Sequence, residues 1–99
     1  MIENLTRDQF ADNLNTDFKM FFADDVSADV KLVEVTELSR RPRNESFSLI
    51  FLAPVDAPVL NQMFRMEHPS LGPFELFMGP VSQNESGIRY EAVFNRLTD

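Results

Sequence analysis

Phe47-Ser48-Leu49-Ile50-Phe51, Phe64-Arg65-Met66, Phe74-Glu75-Leu76-Phe77-Met78 and Ile88-Arg89-Tyr90-Glu91-Ala92-Val93-Phe94 decide the fold of this chain. These runs are short and apolar, and Pro54, Pro58, Pro69, Gly72, Pro73, Gly79, Pro80 and Gly87 separate them. Proline cannot donate to a β-ladder and glycine opens backbone conformations closed to other residues, so both punctuate strands. Period-2 alternation between such breakers predicts antiparallel strands over 45–53, 62–68, 74–79 and 88–95. In the first, Phe47, Leu49 and Phe51 share the face expected to enter the core. The opposite face, Ser46, Ser48, Ile50 and Leu52, turns apolar halfway along, so that end is expected to be covered on both sides. A turn is expected over 54–58, a tight connection over 69–72 and a polar loop over 82–87.

Upstream, Thr6 and Gln9 have the spacing of a capping box, with Leu5 and Phe10 placed as a hydrophobic staple. Asp8 falls in the first turn, where the helix dipole favours a negative charge. Phe10 and Leu14 share a face, and Asn13 and Asn15 suit a helix end. A short helix over 6–14 follows. Phe18, Met20 and Phe22 alternate along a strand at 17–22, and Ala23-Asp24-Asp25 reads as a turn. A second strand over 29–38 changes period: Val30 and Leu32 share one face, Val33 and Val35 the other. A β-bulge near Leu32-Val33 reconciles them. Arg40-Arg41-Pro42-Arg43-Asn44 reads as a loop.

The predicted class is mainly β, with α+β at the margin. The expected architecture is a small twisted antiparallel meander or barrel of about six strands with one short N-terminal helix, in a single β-rich domain over 1–99. Left flat, such a sheet exposes long edges; closure into a barrel removes them.

Composition narrows the function. There is no cysteine, which excludes disulfides and thiolate chemistry. Met1-Ile2-Glu3-Asn4 begins no basic-then-apolar leader, so the expected location is the cytoplasm. A net charge of -7 repels phosphate backbones and anionic lipid, so neither nucleic acid nor membrane is an expected partner.

Catalytic chemistry is sparse. His68 is the only histidine, is held extended by Pro69, and has no nucleophile elbow to serve; a packing role is expected. Asp24, Asp25 and Asp29 do not follow an EF-hand spacing. Glu34 with Glu37, or Glu75 with Glu91, would be the carboxylate pairs of an acid–base enzyme. No metal and no cofactor is expected. Arg40, Arg41 and Arg43 hold three of the nine basic residues and form the best charged candidate for an interaction site.

Phe47-Ser48-Leu49, His68-Pro69, Leu71-Gly72, Glu75-Leu76-Phe77 and Tyr90-Glu91-Ala92-Val93-Phe94-Asn95 resemble a family of small bacterial proteins of unknown function. The resemblance is strongest over the second half of the chain. It implies a bacterial source and a shared β fold, with no activity and no functional residues to carry over. Ala53 stands before Pro54 where the pattern has glycine. The resemblance also suggests an association with phage-tail-like or collar-type genes.

The leading expectation is a non-enzymatic structural or protein-interaction module. A small-ligand-binding barrel is the alternative and a carboxylate-dependent enzyme the third reading. Apolar alternation on both faces of 45–53 and around 74–78 exceeds what one helix can cover. A homo-oligomer is therefore expected, with Phe77 as an interface residue.

Overall fold

The computed structural model describes residues 5–97; residues 1–4, including the stretch read for a leader, and 98–99 lie outside it. The elements are α1 (Arg7–Ala11), β1 (Asp17–Ala23), β2 (Val26–Val35), β3 (Ser39–Arg41), β4 (Asn44–Ala53), β5 (Gln62–His68), β6 (Gly72–Asn84) and β7 (Gly87–Leu97). The sheet order is β2-β1-β5-β6-β7-β4-β3, and a further β2–β4 pairing closes it into a six-strand antiparallel barrel with β3 as an extra strand beside β4. Closure follows from the need to bury one face of every strand and leave few edges.

Inward positions follow the alternation of the sequence. Phe47, Leu49, Phe51 and Ala53 of β4 are buried, as are Phe18 and Met20 of β1, Phe64 and Met66 of β5, Phe74, Leu76 and Met78 of β6, and Ile88, Tyr90 and Ala92 of β7. Rings fill the interior edge to face: Phe18 meets Phe51 at 5.1 Å, and Phe64 meets Tyr90 at 5.5 Å. Such pairs add about 0.5–1.5 kcal/mol each beyond their burial.

Beside register shifts at Phe21/Ala23 and Pro80/Ser82, two irregularities matter for how the barrel closes. The β2–β4 register steps from Leu32↔Phe51 to Glu34↔Ile50, leaving Val33 as the bulged residue. This is the bulge that the slipped period predicts, and it bends β2 from β1 towards β4. The other lies in β6, which pairs with β5 from Gly72 to Met78 and with β7 only from Gly79 to Asn84. The strand therefore changes neighbour at Gly79-Pro80. Phe10 of α1 bridges the two sides of the resulting split, 5.8 Å from Phe74 and 5.7 Å from Phe94.

The helix is shorter than the sequence predicts. The capping box at Thr6 and Gln9 is present, but beyond Ala11 the backbone tightens, with Asn13 N–H on the Phe10 carbonyl and Leu14 N–H on that of Ala11. Asn15 then takes a positive φ of 69° and its N–H donates to the Leu32 carbonyl at 2.7 Å. β1 takes over there, because Leu14 is exposed and offers nothing to bury. Arg40 and Arg41, expected in a loop, lie in β3 and pair with Glu45 and Asn44. The turn is only Pro42-Arg43, since Arg43 adopts a φ of 66° and reverses the chain in two residues. β2 begins at Val26 rather than 29, because its hairpin with β1 turns within Asp24-Asp25, tighter than the three-residue turn expected, and it ends at Val35 rather than 38. β6 runs on to Asn84, consuming much of the polar loop expected over 82–87.

Candidate functional site

The two barrel ends are closed by different means. At one end, His68 finishes β5 and its ring lies 4.3 Å from that of Phe18. Its Nδ1 accepts from the Ser70 N–H at 3.0 Å and the Leu71 N–H at 3.4 Å. The neutral ring therefore carries its proton on Nε2, which donates to Thr16 Oγ1 at 3.0 Å, while the Thr16 hydroxyl donates to the Asn13 carbonyl at 2.7 Å. Burial holds the His68 pKa below its ordinary value of 6.5, since an imidazolium loses hydration there. Both ring nitrogens are committed to the fold, so His68 ties the α1–β1 connection to the β5–β6 turn and has no lone pair left for catalysis.

At the other end, the segment between β4 and β5 crosses the barrel mouth. The Tyr90 hydroxyl donates to the Pro58 carbonyl and accepts from the Leu60 N–H.

Beside His68, on the outer wall of β1 and β5, lies an open groove of about 480 Å³. Phe18, Pro69 and Pro73 give it carbon walls, and Asp17, Asp29 and Glu67 line it together with Lys19. The place of β1 between β2 and β5 makes this convergence, for Lys19 stands directly across from Asp29 on β2 and from Glu67 on β5. Yet Lys19 forms no ion pair with either among the described residues. Its ammonium lies instead 5.3 Å from the centre of the Phe21 ring, and the Arg65 guanidinium lies 3.9 Å from that centre. Sequence reasoning misses this groove, because nothing local to Asp17, Asp29 or Glu67 announces that three strands bring them together.

The predicted site residues lie elsewhere. Arg40, Arg41 and Arg43 form the tip of the β3–β4 hairpin. Arg40 pairs with Glu45 at 3.0 Å, whereas Arg41 and Arg43 are exposed and make no ion pair among the described residues. Phe77 is 61% exposed on the outer face of β6, directly across from Met63, itself 55% exposed. Glu75 faces Arg65 across the β5–β6 ladder and Glu91 faces Ile50 and Gly79, so Glu75 and Glu91 do not face each other, while Glu34 stands across from Ile50 on the other side of β4. Asp24 and Asp25 form the β1–β2 turn, Asp29 points to the groove, and no group of three ligating side chains able to hold a metal occurs among the described residues.

A family model described as a domain of unknown function, DUF6916, matches residues 5–94. The chain belongs to the DUF6916 family. The DUF6916 match runs from the buried Leu5 before the helix cap through β1 to β6 and into β7, as far as Phe94 at the split in the wall. No curated protein and no solved structure matches the chain. No helix among the described residues is long and apolar enough to cross a membrane.

Proposed function

We propose that this domain is a non-enzymatic protein-interaction module that associates with other copies of itself through the outer face of β5 and β6. The observation that carries the reading is the Phe77–Met63 cross-strand pair, two large apolar side chains each more than half exposed on the barrel wall. Inside, by contrast, apolar side chains pack ring against ring, which disfavours a ligand lumen. The committed nitrogens of His68 disfavour catalysis through the one histidine. The cysteine-free composition and the resemblance stated above support a cytoplasmic protein of a bacterial cell, with phage-tail-like assembly as one setting for such a module. The net charge of -7 argues against nucleic acid as the partner.

Sedimentation equilibrium tests the reading. The wild-type chain is expected above the monomer mass at high micromolar concentration, and Phe77→Glu at the monomer mass with an unchanged circular dichroism spectrum. A wild-type monomer across that range overturns it.

A further inference from the structure

The charges beside Phe77 constrain how its face can be covered. On the outer side of the β5–β6 ladder, Met63 stands directly across from Phe77, and one outward row along, Arg65 stands directly across from Glu75. All four side chains are exposed. Opposite charges placed across an antiparallel pair usually interact, yet Arg65 and Glu75 form no ion pair among the described residues. The Arg65 guanidinium lies instead 3.9 Å from the centre of the Phe21 ring on β1. Beside its apolar row the face thus carries one cation and one anion, neither neutralised within its own chain.

This arrangement is complementary to itself. A chain of net charge -7 meets a second copy most readily where the local charges do not repel, and these two rows carry no net charge. Cross-strand neighbours change places under a two-fold rotation about a line between β5 and β6, parallel to the strands. That operation sets Phe77 on Met63 of the second copy and Arg65 on its Glu75. A two-fold axis across the strands does worse. Through the Arg65–Glu75 row it sets like charge on like; through the Met63–Phe77 row it leaves both charges facing no opposite charge; between the rows it sets charge on apolar carbon. The strands of the two walls run nearly parallel about the first axis, which is how sheets ordinarily stack. A closed barrel wall is convex, so two walls touch along a narrow band. Such a contact falls at the weak end of specific interfaces.

We propose that two copies pack wall to wall about a two-fold axis along the β5–β6 seam, with Arg65 and Glu75 of each copy paired to Glu75 and Arg65 of the other beside the Phe77–Met63 contacts. The inference rests on the reading of this face as self-associating, and it adds the symmetry of the contact and the residues that select the partner.

The test is a charge reversal in the full-length chain, read by sedimentation equilibrium, with circular dichroism to check folding. Arg65→Glu alone and Glu75→Arg alone each set two like-charge contacts across the axis and are expected to lower the association constant at least about ten-fold. An equimolar mixture of the two is expected to recover it, because each chain then meets its opposite. Mixing leaves the 65–75 pair within each chain like-charged, so the recovery comes only from across the interface. The double variant Arg65→Glu with Glu75→Arg is expected to associate as wild type does. Arg41→Glu and Glu85→Arg change the net charge equally at sites off the face and are expected to leave association intact. If both single reversals associate as wild type does, if the mixture stays dissociated, or if the off-face variants weaken association as much, the two-fold arrangement is overturned. Phe77→Glu separates the readings: a monomer there, with association indifferent to the reversals, keeps the β5–β6 face and removes this axis. A monomeric wild type removes both.

Discussion

The helix end and the loop end of the barrel solve one problem with different chemistry. At the helix end the β6–β7 ladder is absent between Gly72 and Met78, and the Phe10 ring bridges Phe74 and Phe94 across the split. At the loop end β6 and β7 pair from Gly79 to Asn84 around a register shift at Val81, and a single hydroxyl, that of Tyr90, clips the crossing segment at Pro58 and Leu60. One closure rests on buried apolar volume and the other on two hydrogen bonds. Because a net hydrogen bond is worth less than a buried ring, truncating the closing side chain should cost more at the helix end than at the loop end. A five-residue helix cannot hold itself, so there the docking of Phe10 and the formation of α1 are one event.

The sharpest way to break the comparison is Phe10→Ala. It is expected to cost about 3–5 kcal/mol, the usual penalty for deleting a buried ring, and to remove the protection of the α1 amides in hydrogen exchange. A denaturation midpoint that barely moves would show that the split closes without the helix.

At the loop end the largest effect should come from Gly87→Ala. Gly87 has a φ of +137°, and a Cβ there would sit 2.2 Å from the Ala53 carbonyl oxygen. Backbone strain and the forced displacement of β4 are expected to cost about 2–3 kcal/mol. Chemical denaturation measures it, and a neutral result would mean that the β6–β7 hairpin is free to shift.

Tyr90→Phe should cost less, about 1 kcal/mol, because the ring stays and only the clip is lost. Local exchange of the Leu60 amide should quicken while the β4 and β7 amides stay protected. A loss as large as that of Phe10→Ala would erase the distinction between the two ends.

The smallest effect is pH-dependent and confined to the helix end. His68 has its pKa lowered by burial, so the folded state prefers the neutral ring. The unfolded chain binds the proton first as pH falls through the ordinary value of 6.5. Stability should therefore be fully present above that pH and decline below it towards the lower folded-state pKa. Thermal melts from pH 7.5 to 5 check this, with His68→Gln expected to flatten that part of the profile. A wild-type profile no steeper than that of the variant would show that the imidazole is not coupled to folding.

Much of this was legible in the chain because it is local. Thr6 and Gln9 encode their own cap within one turn, and the alternation of Phe47, Leu49 and Phe51 assigns β4 its buried face. The change of period at Leu32-Val33 even marks the bulge, since a one-residue insertion flips every later side chain. Arg40 and Arg41 were misplaced because proline nearby reads as a loop, whereas the positive φ of Arg43 confines the turn to two residues. The candidate site was least visible. Phe77 was legible as an apolar strand residue, and its exposure depends on which face of β6 the barrel buries.

The sequence by itself determined the strands, their faces, the helix cap and the absence of thiol chemistry, because periodicity and composition act over a few residues. Only the tertiary structure decided that β2 meets β4 and β1 meets β5, that β6 divides its pairing between two neighbours, and that Phe10 bridges the gap. The groove of Asp17, Asp29 and Glu67 belongs to this second group. These residues are 50 positions apart at the extremes, and they share a surface only because β1 pairs with its hairpin partner β2 on one side and with the sequence-distant β5 on the other, a non-local pairing that no local pattern encodes.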